Sequence, residues 1–289
     1  MKKLENIYQV DAFTKEPFNG NSAAIVFGYD LSDKEMRQIA KEMNLSETAF
    51  ITPSDKADYK LKWFTPAVEV ELCGHATIAS IHYLTERGII KNNSSVTFET
   101  LSGLINCRTE DGKYYMRIPV PKLEEFKGNL KSALDALGLK DDDLDPSYLP
   151  VIQSNGNLFI YVKKLNIVGN LKPNFTELVK LTNEQKEFTE VTVYSMETIE
   201  DDSDAHLRFF APYYGINEDP VTGSANGPLL MVLRKLGLID HNTENKIFNF
   251  EQGDFVNRKG RINVTYSPDK DELFISGNAV TILRGELFF

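Results

Sequence analysis

The chain is poor in the features that would restrict its role at once. It has two cysteines, Cys73 and Cys107, in 289 residues. That is too few for a disulfide framework, and neither has the C-x-x-C partner of a zinc site. Both are expected to be reduced, and no metal is expected. No basic run exceeds two residues, and 42 acidic residues against 32 basic ones give a formal charge of −10. Phosphate-backbone binding therefore has no electrostatic support, and no nucleic-acid partner is expected. Apolar runs are too short to span a bilayer, so no membrane partner is expected either. The start, MKKLENIYQVDAF, follows its two lysines with strand-like alternation and not with the apolar core of a signal peptide. A cytoplasmic protein is the expectation. Low-complexity segments are missing as well, and the length suits two ordinary domains, each able to bury a core.

What the chain does have is a repeat. The stretch LKWFTPAVEVELCGHATIASIHYLTERGII, from Leu61 to Ile90, returns in looser form as LRFFAPYYGINEDPVTGSANGPLLMVLRKLGLI, from Leu207 to Ile239. Leu61 to Pro66 face Leu207 to Pro212 at an offset of 146; after three extra residues Gly74, Ala76, Leu84, Gly88 and Ile90 face Gly223, Ala225, Leu233, Gly237 and Ile239 at 149. An aromatic pair, a proline, a Gly-x-Ala turn and a closing glycine in one order indicate a duplicated domain. Each copy reads as a strand, a loop and a helix ending on glycine. Ala76–Leu84 is apolar on nearly every side, and Pro228–Leu233 has no polar residue. Such helices are buried, with sheet around them. Their starts, at Gly74–His75 and Gly223–Ser224, aim unpaired N–H groups forward, which makes each a ready site for an anion.

The rest of the chain fits this frame. IYQVDAF and AAIVF, joined through FNGN, predict neighbouring strands, and Ser32 with Glu35 forms a capping box for a helix that places Met36, Ile39, Ala40 and Met43 on one face. VTFET, GLINCRTE and YYMRIPV predict an antiparallel meander. Residues 121–148 are a polar connection with a short helix at LKSALDALG. QSNGNLFIYV then echoes FNGNSAAIV, Asn19–Asn21 facing Asn155–Asn157 at an offset of 136. A helix at FTELVKLTN, the strand VTVYSM and the strands of KIFNFEQG, GRINVTY, ELFISG and AVTILRGELFF complete the second half.

Few residues are candidates for chemistry. Glu47, in NLSETAF, lies between apolar residues; an exposed carboxylate is the plain alternative. His75 sits at the second residue of the turn before the first buried helix, whereas His82 lies inside the apolar run and reads as structural, and His206 and His241 give no signal. Asp219 precedes the second helix by a few residues, where a capping role is common. Ser224 opens that helix, and its N–H joins the anion site whatever its side chain does.

FNGNSAAIV, NLSETAF, FTPAVEVELCGHAT and EDPVTGSA, in this order across both halves, resemble the phenazine-biosynthesis PhzF-like family, a relative in fold of diaminopimelate epimerase and proline racemase. The resemblance implies an α+β fold of two pseudo-symmetric domains, each a mainly antiparallel, barrel-like sheet around a central helix. In relatives of this fold the C-terminus returns to the first domain, so residues 1–120 with 279–289 and residues 121–278 are the expected domains. It further implies a cofactor-free isomerase site in the cleft between them, with Glu47 as acid/base, His75 and Asp219 beside it, and Gly74, His75, Gly223 and Ser224 holding substrate. The expected partners are a small carboxylate substrate and a second copy in a homodimer, in a biosynthetic role. One departure bears on mechanism. Two-base racemases of this fold carry a cysteine at the head of each central helix, but here Cys73 faces Thr222, and a threonine hydroxyl is no base at neutral pH. Single-base proton transfer by Glu47 is therefore expected over racemisation, with an amino-acid epimerase or a catalytically silent binding protein as the alternatives.

Overall fold

The computed structural model describes residues 2–240 and 246–289, the side chain of Gln185 excepted; His241 lies outside the described residues. The chain is α+β and forms two compact units, Met1–Ile118 with Phe274–Phe289, and Pro119–Leu273.

The first unit opens with β1 (Lys3–Ala12) and β2 (Asn21–Phe27), antiparallel from Ile7 opposite Val26 to Ala12 opposite Asn21. The turn between them depends on Gly20, whose φ is +63° and whose missing Cβ would lie 2.1 Å from the Ala12 carbonyl oxygen. Any L side chain there must push the backbone apart. Gly20→Ala is expected to cost about 2 kcal/mol or more, read as a lower thermal midpoint, and to displace Asn21. Helix α1 (Asp33–Met43) starts at the predicted capping box: Glu35 N–H donates to Ser32 Oγ at 3.3 Å, and Ser32 N–H donates to Glu35 Oε2 at 2.9 Å. Its buried Met36, Ile39 and Ala40 meet Leu4, Val26, Phe50 and Phe64.

Strand β3 (Glu47–Thr52) runs parallel to β2 and antiparallel to β4 (Tyr59–Phe64), and the two-residue β5 (Glu69–Val70) pairs with β4. After α2 (Gly74–Glu86), β6 (Ser95–Thr100) joins β4 in parallel, and β7 (Gly103–Glu110) and β8 (Lys113–Ile118) complete an antiparallel meander.

In the second unit β9 (Leu123–Glu125) pairs with β10 (Val151–Gln153), and between them lies α3 (Leu130–Leu137), capped by the Asn129 side chain and closed by Gly138. Strand β10 pairs with β11 (Asn157–Tyr161), which α4 (Leu165–Gly169) and α5 (Phe175–Lys180) follow. The order of pairing then repeats that of the first unit. Strand β12 (Glu190–Ser195) is parallel to β11 and antiparallel to β13 (Ala205–Ala211). The short β14 (Ile216–Asp219) returns along β13, and α6 (Gly223–Lys235) intervenes. Strand β15 (Phe248–Gln252) is parallel to β13, and β16 (Gly260–Ser267) is antiparallel to β15. Leu158, Ile160, Val191, Val193 and Phe210 form the core on which α3 and α5 lie.

The chain then reaches β17 (Glu272–Gly277), which joins β8, and β18 (Ala279–Phe288), which pairs along β1 from Lys3 opposite Phe288 to Ala12 opposite Ala279. Helix α2 is buried from Gly74 to Leu84 and packs against β1, β2, β3, β7, β8 and β18. Its polar side chains are satisfied inside: Thr77 and Ser80 hydroxyls donate to the Cys73 and Ala76 carbonyls, and His82 meets Tyr114 Oη at 2.9 Å and Thr281 Oγ1 at 3.0 Å. Helix α6 is buried at Gly223 and from Ala225 to Leu230, and it packs against β11 and β16. No helix among the described residues is long and apolar enough to cross a membrane.

Candidate active site

In the first unit two local features converge. Strand β3 begins at Glu47, which is 8% exposed. Helix α2 begins just after Cys73, whose extended backbone (φ −142°) supplies no side-chain cap, and no acidic residue stands in the first turn. The first N–H groups of α2 are thus left for another acceptor. Glu47 Oε2 lies 3.1 Å from His75 Nε2, close enough for an ion pair but out of line for a hydrogen bond, so this buried oxygen has no hydrogen-bond partner. The other ring nitrogen, Nδ1, is 3.2 Å from the Asn21 amide and 3.6 Å from Cys73 Sγ. Asn21 in turn meets the Ser46 hydroxyl at 3.2 Å.

The charge states follow from these contacts. Burial alone would push the His75 imidazole down, but its close contacts with Cys73 Sγ and with the Glu47 carboxylate act the other way and hold it well above the usual histidine range. Burial, together with Glu47, pushes the Cys73 thiol up to about 11. Cys73 is therefore a neutral thiol near pH 7, and the counter-charge beside His75 is the Glu47 carboxylate. An imidazolium donates from both nitrogens. Asn21 meets this need when its amide oxygen faces Nδ1 and its NH2 faces Ser46.

In the second unit Asp219 ends β14 and is 7% exposed. Thr222, at the head of α6 as Cys73 is at the head of α2, donates its hydroxyl to Asp219 Oδ2 at 2.5 Å. Gln252 ties the turn together: its NH2 donates to the Asp219 carbonyl at 2.8 Å and to Thr222 Oγ1 at 3.1 Å, and its oxygen accepts from Thr222 N–H at 2.9 Å. Asn226 adds a donor to that oxygen at 2.7 Å. A threonine hydroxyl so bound to a carboxylate has no basicity to offer. Gly223 and Ser224 begin α6, again without a side-chain cap.

Glu47, Gly74 and His75 are thus assembled within one unit, and Asp219, Gly223 and Ser224 within the other. Asn21 and Gln252 were missed as site residues. Asn21 was legible only as part of the FNGN turn, and Gln252 ends a strand with nothing in its sequence to set it apart. Glu47, Cys73 and His75 also offer one metal-ligand atom each, mutually within 4.8 Å. No ligand spacing in the sequence points to this cluster. It suits a metal poorly, because Cys73 and His75 would each have to give up a proton that the site holds firmly.

Residues 10–285 match the family model of the phenazine biosynthesis-like proteins, PhzC-PhzF, and the chain belongs to that family. Among its relatives an uncharacterized isomerase of Clostridium acetobutylicum is 40% identical over 308 aligned positions that cover 99% of each chain. A PhzF-family phenazine biosynthesis protein of Bacillus anthracis, known by crystal structure, superposes with a TM-score of 0.90 at 31% identity over the full length of both. A hydroxyproline epimerase of Agrobacterium vitis, solved with trans-4-hydroxy-L-proline, superposes at 0.63 over 98% of this chain and 92% of its own, but at 13% identity it shares the fold alone.

Proposed function

We propose that this chain is a cofactor-independent isomerase that moves a proton on a small carboxylate-bearing substrate, with Glu47 as the single acid/base. The observation that carries this is the state of unit 1: a buried Glu47 oxygen without a hydrogen bond, beside a charged His75 and a thiol that stays protonated. Glu47 takes a proton from a carbon next to the substrate's carboxylate or carbonyl and returns it to another carbon on the same face. The His75 charge and the open N–H groups at Gly74 and His75 stabilise the negative charge that develops as the C–H bond breaks. Asp219, Gly223 and Ser224 form the matching turn of the second unit and are its candidates for binding an anionic group. Two duplicated domains, 1–120 with 279–289 and 121–278, form the scaffold; the repeated order of parallel and antiparallel pairings supports the duplication.

The experiment is to screen small carboxylic acids by thermal shift and incubate the binders with the protein in D2O. An isomerase installs solvent deuterium at a carbon position of a bound acid, seen by mass spectrometry. Binding without any carbon-bound deuterium across the panel would identify a silent binding protein instead.

A further inference from the structure

Both copies of the repeat hold a cation and a glutamate that pair with each other. The offset of 146 sets Lys62 against Arg208, and the offset of 149 sets Glu69 against Glu218. The ladders agree with both offsets, Trp63 lying opposite Val70 and Phe209 opposite Asp219. The short strand before each central helix, β5 or β14, is thus tied by an ion pair to the long strand beside it, β4 or β13. Val70 stands in the first unit where Asp219 stands in the second.

The two ties differ in kind. In the first unit Lys62 Nζ reaches Glu69 Oε2 at 3.4 Å but lies closer to Asp33 Oδ1, at 2.6 Å, and Glu69 Oε1 is buried without a hydrogen bond. An ammonium shared between two carboxylates fixes a distance and not an orientation. In the second unit Arg208 Nε donates to Glu218 Oε1 at 2.8 Å and Nη2 to Glu218 Oε2 at 2.7 Å, a parallel fork. Nη1 donates to the Val168 and Leu171 carbonyls, at 3.1 and 3.3 Å, around the end of α4. The two side chains are only 9% and 14% exposed. Every nitrogen of Arg208 is therefore engaged within the unit, so its role is to hold β14 and not to bind a ligand. Asp219 follows Glu218 in β14, and successive residues of a strand face opposite ways. The fork grips one face of β14 while the Asp219 carboxyl stands on the other, with its Oδ2 held by Thr222 and its carbonyl by Gln252.

We propose that Arg208 and Glu218 are positioning residues that act through Asp219: their fork sets the plane and register of β14, and with them the place of the Asp219 carboxyl before α6. This rests on the reading of the turn before α6 as part of the isomerase's binding machinery. A two-point contact resists rotation of the strand about its own axis, which a one-point contact does not. Strand β14 needs that hold, because it is four residues long and its ladder with β13 is irregular between Phe209 and Ala211. In the first unit Val70 has no polar group to aim, and the single contact from Lys62 suffices.

The test is Arg208→Lys, which keeps the charge and loses the fork, read by NMR of the 15N-labelled protein without any substrate. The reporters are the Gln252 side-chain NH2, which donates to the Asp219 carbonyl and to Thr222 Oγ1, and the backbone amides of Ile216–Asp219. In the variant the Gln252 NH2 signals should shift, and the reporters should exchange with solvent faster by about tenfold or more, the scale of one lost charge-assisted hydrogen bond. The amides of β12 should keep their rates. Glu218→Gln, which keeps the shape of the side chain but leaves it one acceptor atom, should act in the same way, and it decides if Arg208→Lys does not fold. Gln252 signals and exchange rates unchanged in a folded variant would overturn the proposal. So would an equal acceleration in β12, because that is a loss of general stability and not of position. Because no turnover is measured, its failure is separate from that of the isomerase reading, which the deuterium experiment tests.

Discussion

Glu47→Gln should lower turnover by about 10²–10⁴ or more, about 3–5 kcal/mol in the barrier, while substrate or product analogues still bind. The amide keeps the volume of the side chain at the head of β3 but cannot accept a proton from carbon. The partner of that experiment is Cys73→Ala. The Cys73 thiol is pushed up to about 11 by burial and by Glu47, so it offers almost no thiolate at neutral pH. Cys73→Ala should therefore retain most of the activity, at a modest packing cost. His75→Ala should fall between them, because it removes the positive charge next to Glu47 and leaves the helix N–H groups in place. Steady-state rates for the three folded variants check the order. Equal loss in Cys73→Ala and Glu47→Gln would replace the one-base mechanism with a thiol-assisted one.

The largest effect on stability is expected in the second unit, at a pair with no part in the chemistry. His206 and Glu251 are both fully buried, and His206 Nδ1 lies 2.8 Å from Glu251 Oε2. The Glu251 oxygens also accept from the Ile199 and Glu200 N–H groups at 2.8 and 2.7 Å. Burial would push the Glu251 carboxyl up, but these donors and Arg261 outweigh it and hold the group down to about 2. Glu251→Ala strips all of them of their acceptor at once, and should cost about 3 kcal/mol or more, since each buried donor left unpaired costs about 1–3 kcal/mol. Chemical denaturation at neutral pH measures it. The Glu251 contribution is present above the ordinary carboxylate value of 4.5 and is lost as pH falls from there towards about 2.

How much of this was legible in the sequence depended on how local its cause is. The capping box at Ser32 and Glu35, the helix start at Gly74 and the strand LKWF are set by neighbours a few residues apart, and all were placed from the sequence. Glu47 stands out as a candidate because NLSETAF resembles a family motif; its alternation alone would leave an ordinary strand carboxylate. Glu190 opens the matching strand of the second unit in TEVTVYS, and no motif marks it. The burial of its Oε2 comes from strand pairing, and no residue nearby along the chain signals it. Asn21 was read as a turn residue because its partners His75 and Ser46 come from later elements. The short strands β5 and β9 carry no alternation of their own and exist through their neighbours' unpaired backbone groups.

The central claim is that one base both removes and returns the proton, and the fate of that proton tests it most directly. A substrate deuterated at the reacting carbon, converted in ordinary water under single-turnover conditions, should give product that retains part of the label, because Glu47 can deliver the same deuteron before it exchanges with solvent. Product with no label in the first turnover, and solvent hydrogen in its place, would mean that a second group delivers the proton and would contradict the account.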